Sequence, residues 1–210
     1  MLDNKIVLVG YSGHGLVVAD SAKASQMNLQ FYTEQQKMEV NPFGLEYLGF
    51  ESDATFSNWD KPYDYVLGIG SNTIRKKVAQ LILSENKQLL NVIAPSSQIS
   101  EEIIIGQGNF IAKNATVNIM AKIGDYCILN TGCIVEHECV ISNGVHVAPG
   151  AVLLGNVTVG EQSFIGANAV IKENITIGRD VIIGAGAVVL SDVPDHSKIV
   201  GNPGRTISYE

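Results

Sequence analysis

Few residues of this 210-residue chain could do chemistry, and the most suggestive stand side by side. In Val135-Glu136-His137-Glu138-Cys139 an imidazole is set between two carboxylates. A histidine so placed can act as a general base near neutral pH, with an acidic neighbour fixing the tautomer and stabilising the imidazolium. The plainer reading is a solvated histidine on a polar corner. His146 is a second candidate, either a structural histidine or a ligand contact. A third feature is the turn Gly10-Tyr11-Ser12-Gly13-His14-Gly15, between the apolar run 5–9 and a segment with helical spacing over 16–25. Glycines at a helix N-terminus expose backbone N–H groups to phosphate. The spacing is G-x-x-G-x-G, not the G-x-G-x-x-G of dinucleotide-binding turns, so a plain tight turn stands beside the phosphate reading. The same turn lacks the G-x-S-x-G spacing of a nucleophile elbow.

The elements that must hold these residues are written in a strict period. From Ile99 to Val189 an Ile, Val or Leu occupies every sixth position, sixteen times without a slip. By chance this would occur with a probability on the order of 10⁻⁸. So short a period predicts a parallel β-helix of eighteen-residue triangular coils. Three residues after each aliphatic, eleven of sixteen hexads carry Gly, Asn or Asp, the types that tolerate a positive φ at a corner. Glu138 breaks that rule beside His137, and broken local rules mark sites. On the outer faces, the columns Phe110, Ile128, His146, Phe164, Ile182 and Thr116, Ile134, Val152, Val170, Val188 are apolar. They predict packing between subunits, with a trimer the natural closure of a three-sided prism.

The first ninety or so residues follow another grammar, with strand, glycine turn and helix at 5–25 and again at Tyr65 to Gly70 and Thr73 to Ser84. That alternation predicts a small parallel α/β domain, Rossmann-like in layout. A net charge of −7 disfavours a nucleic-acid partner. The opening residues, Met1-Leu2-Asp3-Asn4-Lys5, carry no leader pattern, and no apolar run has membrane length, so a cytoplasmic protein without membrane insertion is expected. Cys127, Cys133 and Cys139 share one repeat position and fall at three different corners. They are therefore expected to be core fillers rather than a disulfide or a metal site.

Taken in order, Gly13-His14-Gly15, the segment from Gly68 to Lys77, Asn130-Thr131, Val135 to Cys139, His146 and the ending Val200-Gly201-Asn202-Pro203 resemble the bacterial sugar O- and N-acetyltransferases built on a left-handed β-helix of hexapeptide repeats. The resemblance is nearest to members that acetylate the 4-amino group of a nucleotide-linked 4-amino-4,6-dideoxy sugar, as in the bacillosamine pathway. It implies a Rossmann-like nucleotide-sugar-binding domain over 1–92 and a left-handed β-helix acyltransferase domain over 93–210. It further implies acetyl-CoA as co-substrate, a nucleotide-linked amino sugar as acceptor, no metal, and a homotrimer. His137 would be the general base, Glu138 would raise its basicity, and Asn130 would help arrange the site. His146 would contact acetyl-CoA, with the backbone around Ala167 and Ala185 lining the pantetheine path. Gly13, His14, Gly15 and Gly70 would cradle the nucleotide sugar. Glu34 stands where relatives carry acidic residues after the second strand. A sialic-acid-type O-acetyltransferase would share fold and base and differ in its acceptor.

Overall fold

A computed structural model describes residues 4–207. The reading of the opening residues therefore lies partly outside it, as do the last three positions of the chain. The N-terminal elements are β1 (Lys5–Val9), α1 (Gly13–Ala24), β2 (Leu29–Thr33), β3 (Glu46–Tyr47), β4 (Tyr63–Leu67) and α2 (Asn72–Ser84). The strands form one parallel sheet in the order β3-β2-β1-β4. The chain steps outward from β1 through β2 and β3, then crosses back to β4 on the other side. Such a reversal opens a crevice at the carboxyl ends of the strands where it occurs. Here that place lies between β1 and β4. Helix α1 starts three residues earlier than its apolar spacing predicts, because the Gly13-His14-Gly15 part of the turn itself takes helical form.

From Val92 the chain becomes a solenoid. Val92–Ile93 pairs in parallel with Phe110–Ile111, and each later two-residue strand pairs with the one eighteen residues on, as in Ile128↔His146 and His146↔Phe164. Three sheets result, one per face of a triangular prism. The period-six aliphatics point inward: from Ile111 to Val189 none exceeds 3% exposure, and Ile99 and Ile105 pack partly buried at the open end. Corners recur every six residues with positive φ, from Gly108 to Gly186. Asn and Gly fill most of them, but Met120, Tyr126, Glu138 and Gln162 adopt the same left-handed backbone against their usual preference. The three cysteines are buried and free, and burial pushes their thiols up to about 12, 12 and 11 for Cys127, Cys133 and Cys139. At the far end Lys198–Val200 pairs with the antiparallel strand Arg205–Thr206 and closes the stack.

The two parts share a core. Val18, Ala19 and Ala22 of α1 pack with Val92, Phe110, Ala112 and Ile128 on the first outer face of the prism. That corrects one expectation: the apolar column from Phe110 to His146 is covered by the chain's own α/β domain, not by another subunit. Its lower end, Ile182, stays 45% exposed. The second apolar column, with Ile134 and Val152, is only partly buried and remains open to a partner.

Candidate active site

The turns after β1 and β4 meet at van der Waals limits. A β-carbon on Gly15 would stand 2.1 Å from the Gly10 carbonyl oxygen, and one on Gly68 would meet the same oxygen at 2.1 Å. Gly15 is therefore a packing glycine, buried where helix and strand touch, and not part of the cleft wall. Gly13 has open space where its side chain would be. With Gly10, Gly15 and Gly68 this close, the first turns of α1 and α2 both border a cleft of about 610 Å³ whose walls include Ser12, His14, Gly70 and Lys77. Neither Ser12 nor Ser71 caps its helix with a side-chain hydrogen bond. Two sets of unspent backbone N–H groups and two positive dipole ends thus converge near one opening. Lys77 adds a cation with no ion-pair partner among the described residues.

Glu34 also lines this cleft at the end of β2. Part of its capacity is used inside the chain, since its carboxylate accepts the Tyr11 N–H at 3.1 Å and the Gln35 N–H at 2.9 Å. Glu51, which sequence reasoning passed over, lines the same cleft while only 4% exposed.

Below the cleft, the α/β domain is locked onto the prism by Arg75, which is 1% exposed. Its guanidinium donates to five oxygens: Tyr126 O at 2.8 Å, Gly144 O at 2.9 Å, Gly70 O at 3.0 Å, Ile69 O at 3.2 Å and Asn72 Oδ1 at 3.0 Å. Asn72 in turn donates to Gln162 O at 2.8 Å and Ser163 O at 3.2 Å. Burial brings the Arg75 guanidinium down to about 10, so it stays charged at neutral pH, with no carboxylate among its hydrogen-bond partners.

His14 and His146 lie in this seam, their ring centroids 6.2 Å apart. His14 packs edge-on to Phe110, and His146 edge-on to Phe164. Burial first, then the Arg75 charge, push His14 down to about 4 and His146 to about 3. Asn130 lies 3.1 Å from His146 through Nδ2 and Nε2; because Asn130 Oδ1 accepts the Thr131 N–H at 2.8 Å, its amide donates to the ring. His146, expected to contact acetyl-CoA, is 8% exposed. The α/β domain covers the face that the sequence left bare, so this ring is a wall of the seam. Asn130 belongs with it, and within one chain it does not join His137.

His137 stands on another corner, between the second and third faces, across the prism from the face that carries the α/β domain. Its Nδ1 is 3.0 Å from Glu138 Oε2, and both side chains are about half exposed, at 54% and 52%. Glu138 holds this pose with φ of +62°. The second expected carboxylate is absent from the pair: Glu136 accepts the Asn118 amide at 2.8 Å instead. A carboxylate on Nδ1 places the ring proton there and leaves Nε2 as a free lone pair. Gly155, one coil further on, lies under the ring. A glycine eighteen residues after His137 is the sequence signal for that contact. Ala167 and Ala185 stack on the corner between the first and second faces, Ala185 exposed and Ala167 partly so. Among the described residues no three His, Cys, Asp or Glu side chains gather as metal ligands.

Two family models match the chain, the PglD N-terminal domain over residues 5–82 and the six-repeat bacterial transferase hexapeptide over 156–191. The structure is similar to a histidine-to-asparagine variant of perosamine N-acetyltransferase from Caulobacter crescentus in complex with CoA and GDP-perosamine, at 29% identity and a TM-score of 0.93, covering 98% of each chain. It is also similar to the acetyltransferase domain of PglB from Neisseria gonorrhoeae in complex with acetyl coenzyme A, at 30% identity and a TM-score of 0.91, covering 98% of this chain and 100% of that one. A curated relative, GDP-perosamine N-acetyltransferase of Escherichia coli, is 32% identical over 127 residues, 59% of this chain. The matches span 58% of that relative and 50% of a serine acetyltransferase from Synechococcus elongatus.

Proposed function

The chain belongs to the bacterial sugar acetyltransferases that join a PglD-type N-terminal domain to a hexapeptide-repeat solenoid, and on that premise we propose that it acetylates the 4-amino group of a nucleotide-linked 4-amino-4,6-dideoxy sugar. The observation that carries this reading is the His137–Glu138 pair, with Nδ1 bound by a carboxylate and both side chains about half exposed. Acetyl-CoA supplies the acyl group as an activated thioester. The sugar amine attacks that carbonyl directly, and His137 Nε2 takes the proton the nitrogen sheds as the amide forms. The proton then passes to the departing thiolate. Glu138 holds the tautomer and offsets the imidazolium charge. Alignment supplies much of the remaining rate.

The cleft between β1 and β4 suits the nucleotide end of the acceptor, its diphosphate facing the uncapped starts of α1 and α2 and Lys77. His14 and Gly70 border the cleft beside the seam, where the sugar would lie. The corner ribbon of Ala167 and Ala185 carries only methyl side chains, which fits the close approach of a pantetheine arm. One chain keeps its cleft and its His137 on opposite sides of the prism. A homotrimer answers that, since the exposed corner of one copy can meet the cleft side of its neighbour.

The test is an acetyl-CoA assay against matched nucleotide 4-amino and 4-hydroxy sugars. Thiol release with the amine alone is expected. Turnover with the hydroxyl sugar alone would turn the reading to an O-acetyltransferase, and turnover with neither would sink it.

A further inference from the structure

We infer that Glu51 reads the base of the nucleotide carrier and that the base is guanine. The inference rests on the cleft being the nucleotide-sugar site and goes beyond it by choosing the base. Glu51 is 4% exposed, lines the cleft, and among the described residues accepts a single long hydrogen bond, from Ser52 Oγ at 3.3 Å. No Lys, Arg or His among the described residues forms an ion pair with it. A carboxylate with one long hydrogen bond keeps most of its acceptor capacity unused, and a ligand that brings donors fills it.

The sheet order sets what can reach it. The phosphate-facing turns follow β1 and β4, Glu34 closes β2, and Glu51 follows β3, the strand furthest from those turns. A nucleoside diphosphate laid with its phosphates at the helix starts therefore runs its ribose past Glu34 and its base toward Glu51. Phe50, Ile74 and Val78 line the same cleft and offer apolar surface to a ring. Base identity is read on the Watson–Crick edge. Guanine alone presents two adjacent donors there, N1–H and the 2-amino group, the fork that a carboxylate accepts in bidentate fashion. Uracil and thymine offer one N–H between two carbonyl oxygens, which would face the lone pairs of Glu51. Adenine and cytosine set a donor beside an acceptor and leave one carboxylate oxygen unpaired.

Calorimetric titration of the full chain with GDP, IDP and UDP tests this, because IDP is GDP without the 2-amino group. GDP is expected to bind roughly tenfold tighter than IDP and roughly a hundredfold tighter than UDP. Glu51→Gln should weaken GDP by roughly tenfold to a hundredfold and narrow the GDP–IDP gap, with no loss for UDP. An equal loss for all three ligands would mean a ribose contact or a structural carboxylate and would overturn the inference. So would UDP matching GDP on the unaltered protein. If Glu51→Gln fails to fold, the unaltered protein's GDP, IDP and UDP series decides alone. Binding of none of the three removes the cleft from the proposed function itself. A preference for UDP with acetyl transfer intact removes only guanine.

Discussion

The imidazole of His137 lies across Gly155, so closely that a β-carbon on Gly155 would stand 2.5 Å from both Cε1 and Nε2 of the ring. Gly155 does not have a positive φ, so its backbone would accept alanine. Gly155→Ala should therefore fold normally yet swing the imidazole off its Glu138 contact. A loss in kcat of tenfold or more is expected, since a displacement of about 1 Å can cost about 100-fold. Steady-state kinetics beside a thermal melt check it; full activity with unchanged stability would show that the ring's resting place does not matter.

His137→Ala should lower kcat by roughly 100- to 10,000-fold, the usual worth of a positioned base. Acetyl-CoA affinity and assembly state should survive. Glu138→Gln, which keeps the side-chain length at a left-handed corner, should lose less. Turnover near normal in His137→Ala would remove this residue from the chemistry.

Arg75→Met leaves five oxygens without their donor, those of Tyr126 and Gly144 in buried contacts. A destabilisation of about 3 kcal/mol or more is expected from so many unmet acceptors. Nucleotide affinity should fall with it, because Ile69 and Gly70 border the cleft. Denaturant unfolding and nucleotide titration on the same variant measure both.

Stability should drop on acidification. His14 and His146 are held neutral by burial, at about 4 and about 3, against an ordinary value of 6.5. Between those values the unfolded chain binds protons that the folded chain refuses. Their contribution is complete above pH 6.5 and is lost as the pH falls toward 4. At about 1.4 kcal/mol per unit, the loss by pH 4 is on the order of 3 kcal/mol for each of the two rings. Melts of the unaltered chain and of His146→Phe across this window check it; the variant's curve should be flatter, and parallel curves would contradict the assignment.

Ile134→Lys puts a charge on the second apolar column, which is only partly buried among the described residues. Sedimentation should show trimers giving way to monomers, with activity lost alongside. An unchanged profile would move the interface elsewhere.

The solenoid was legible because one rule, an aliphatic every sixth residue, is enforced by a dry core that tolerates no exception. The site was legible in part. Glu138 stood out as a breach at a corner, but Tyr126 and Gln162 breach the same rule and mark where the α/β domain docks, through the carbonyls that hold Arg75 and Asn72. The apolar column through His146 showed that something must cover it, without showing whether the cover was a second copy or the chain's own helix. Arg75 gave no signal at all. Its partners on the prism lie 51 and 69 residues away, and a helical arginine reads by default as a solvated one. Glu51 escaped for a similar reason, since a glutamate after a two-residue strand carries no pattern of its own.

The clamp at Arg75 makes the cleft a fixed station along a graduated rod. Each coil added or removed between the clamp and the imidazole of the neighbouring copy would shift one against the other by about 4.8 Å, the spacing of adjacent strands. Reach toward longer or shorter acceptors could therefore change by whole coils, with every reacting group left as it is.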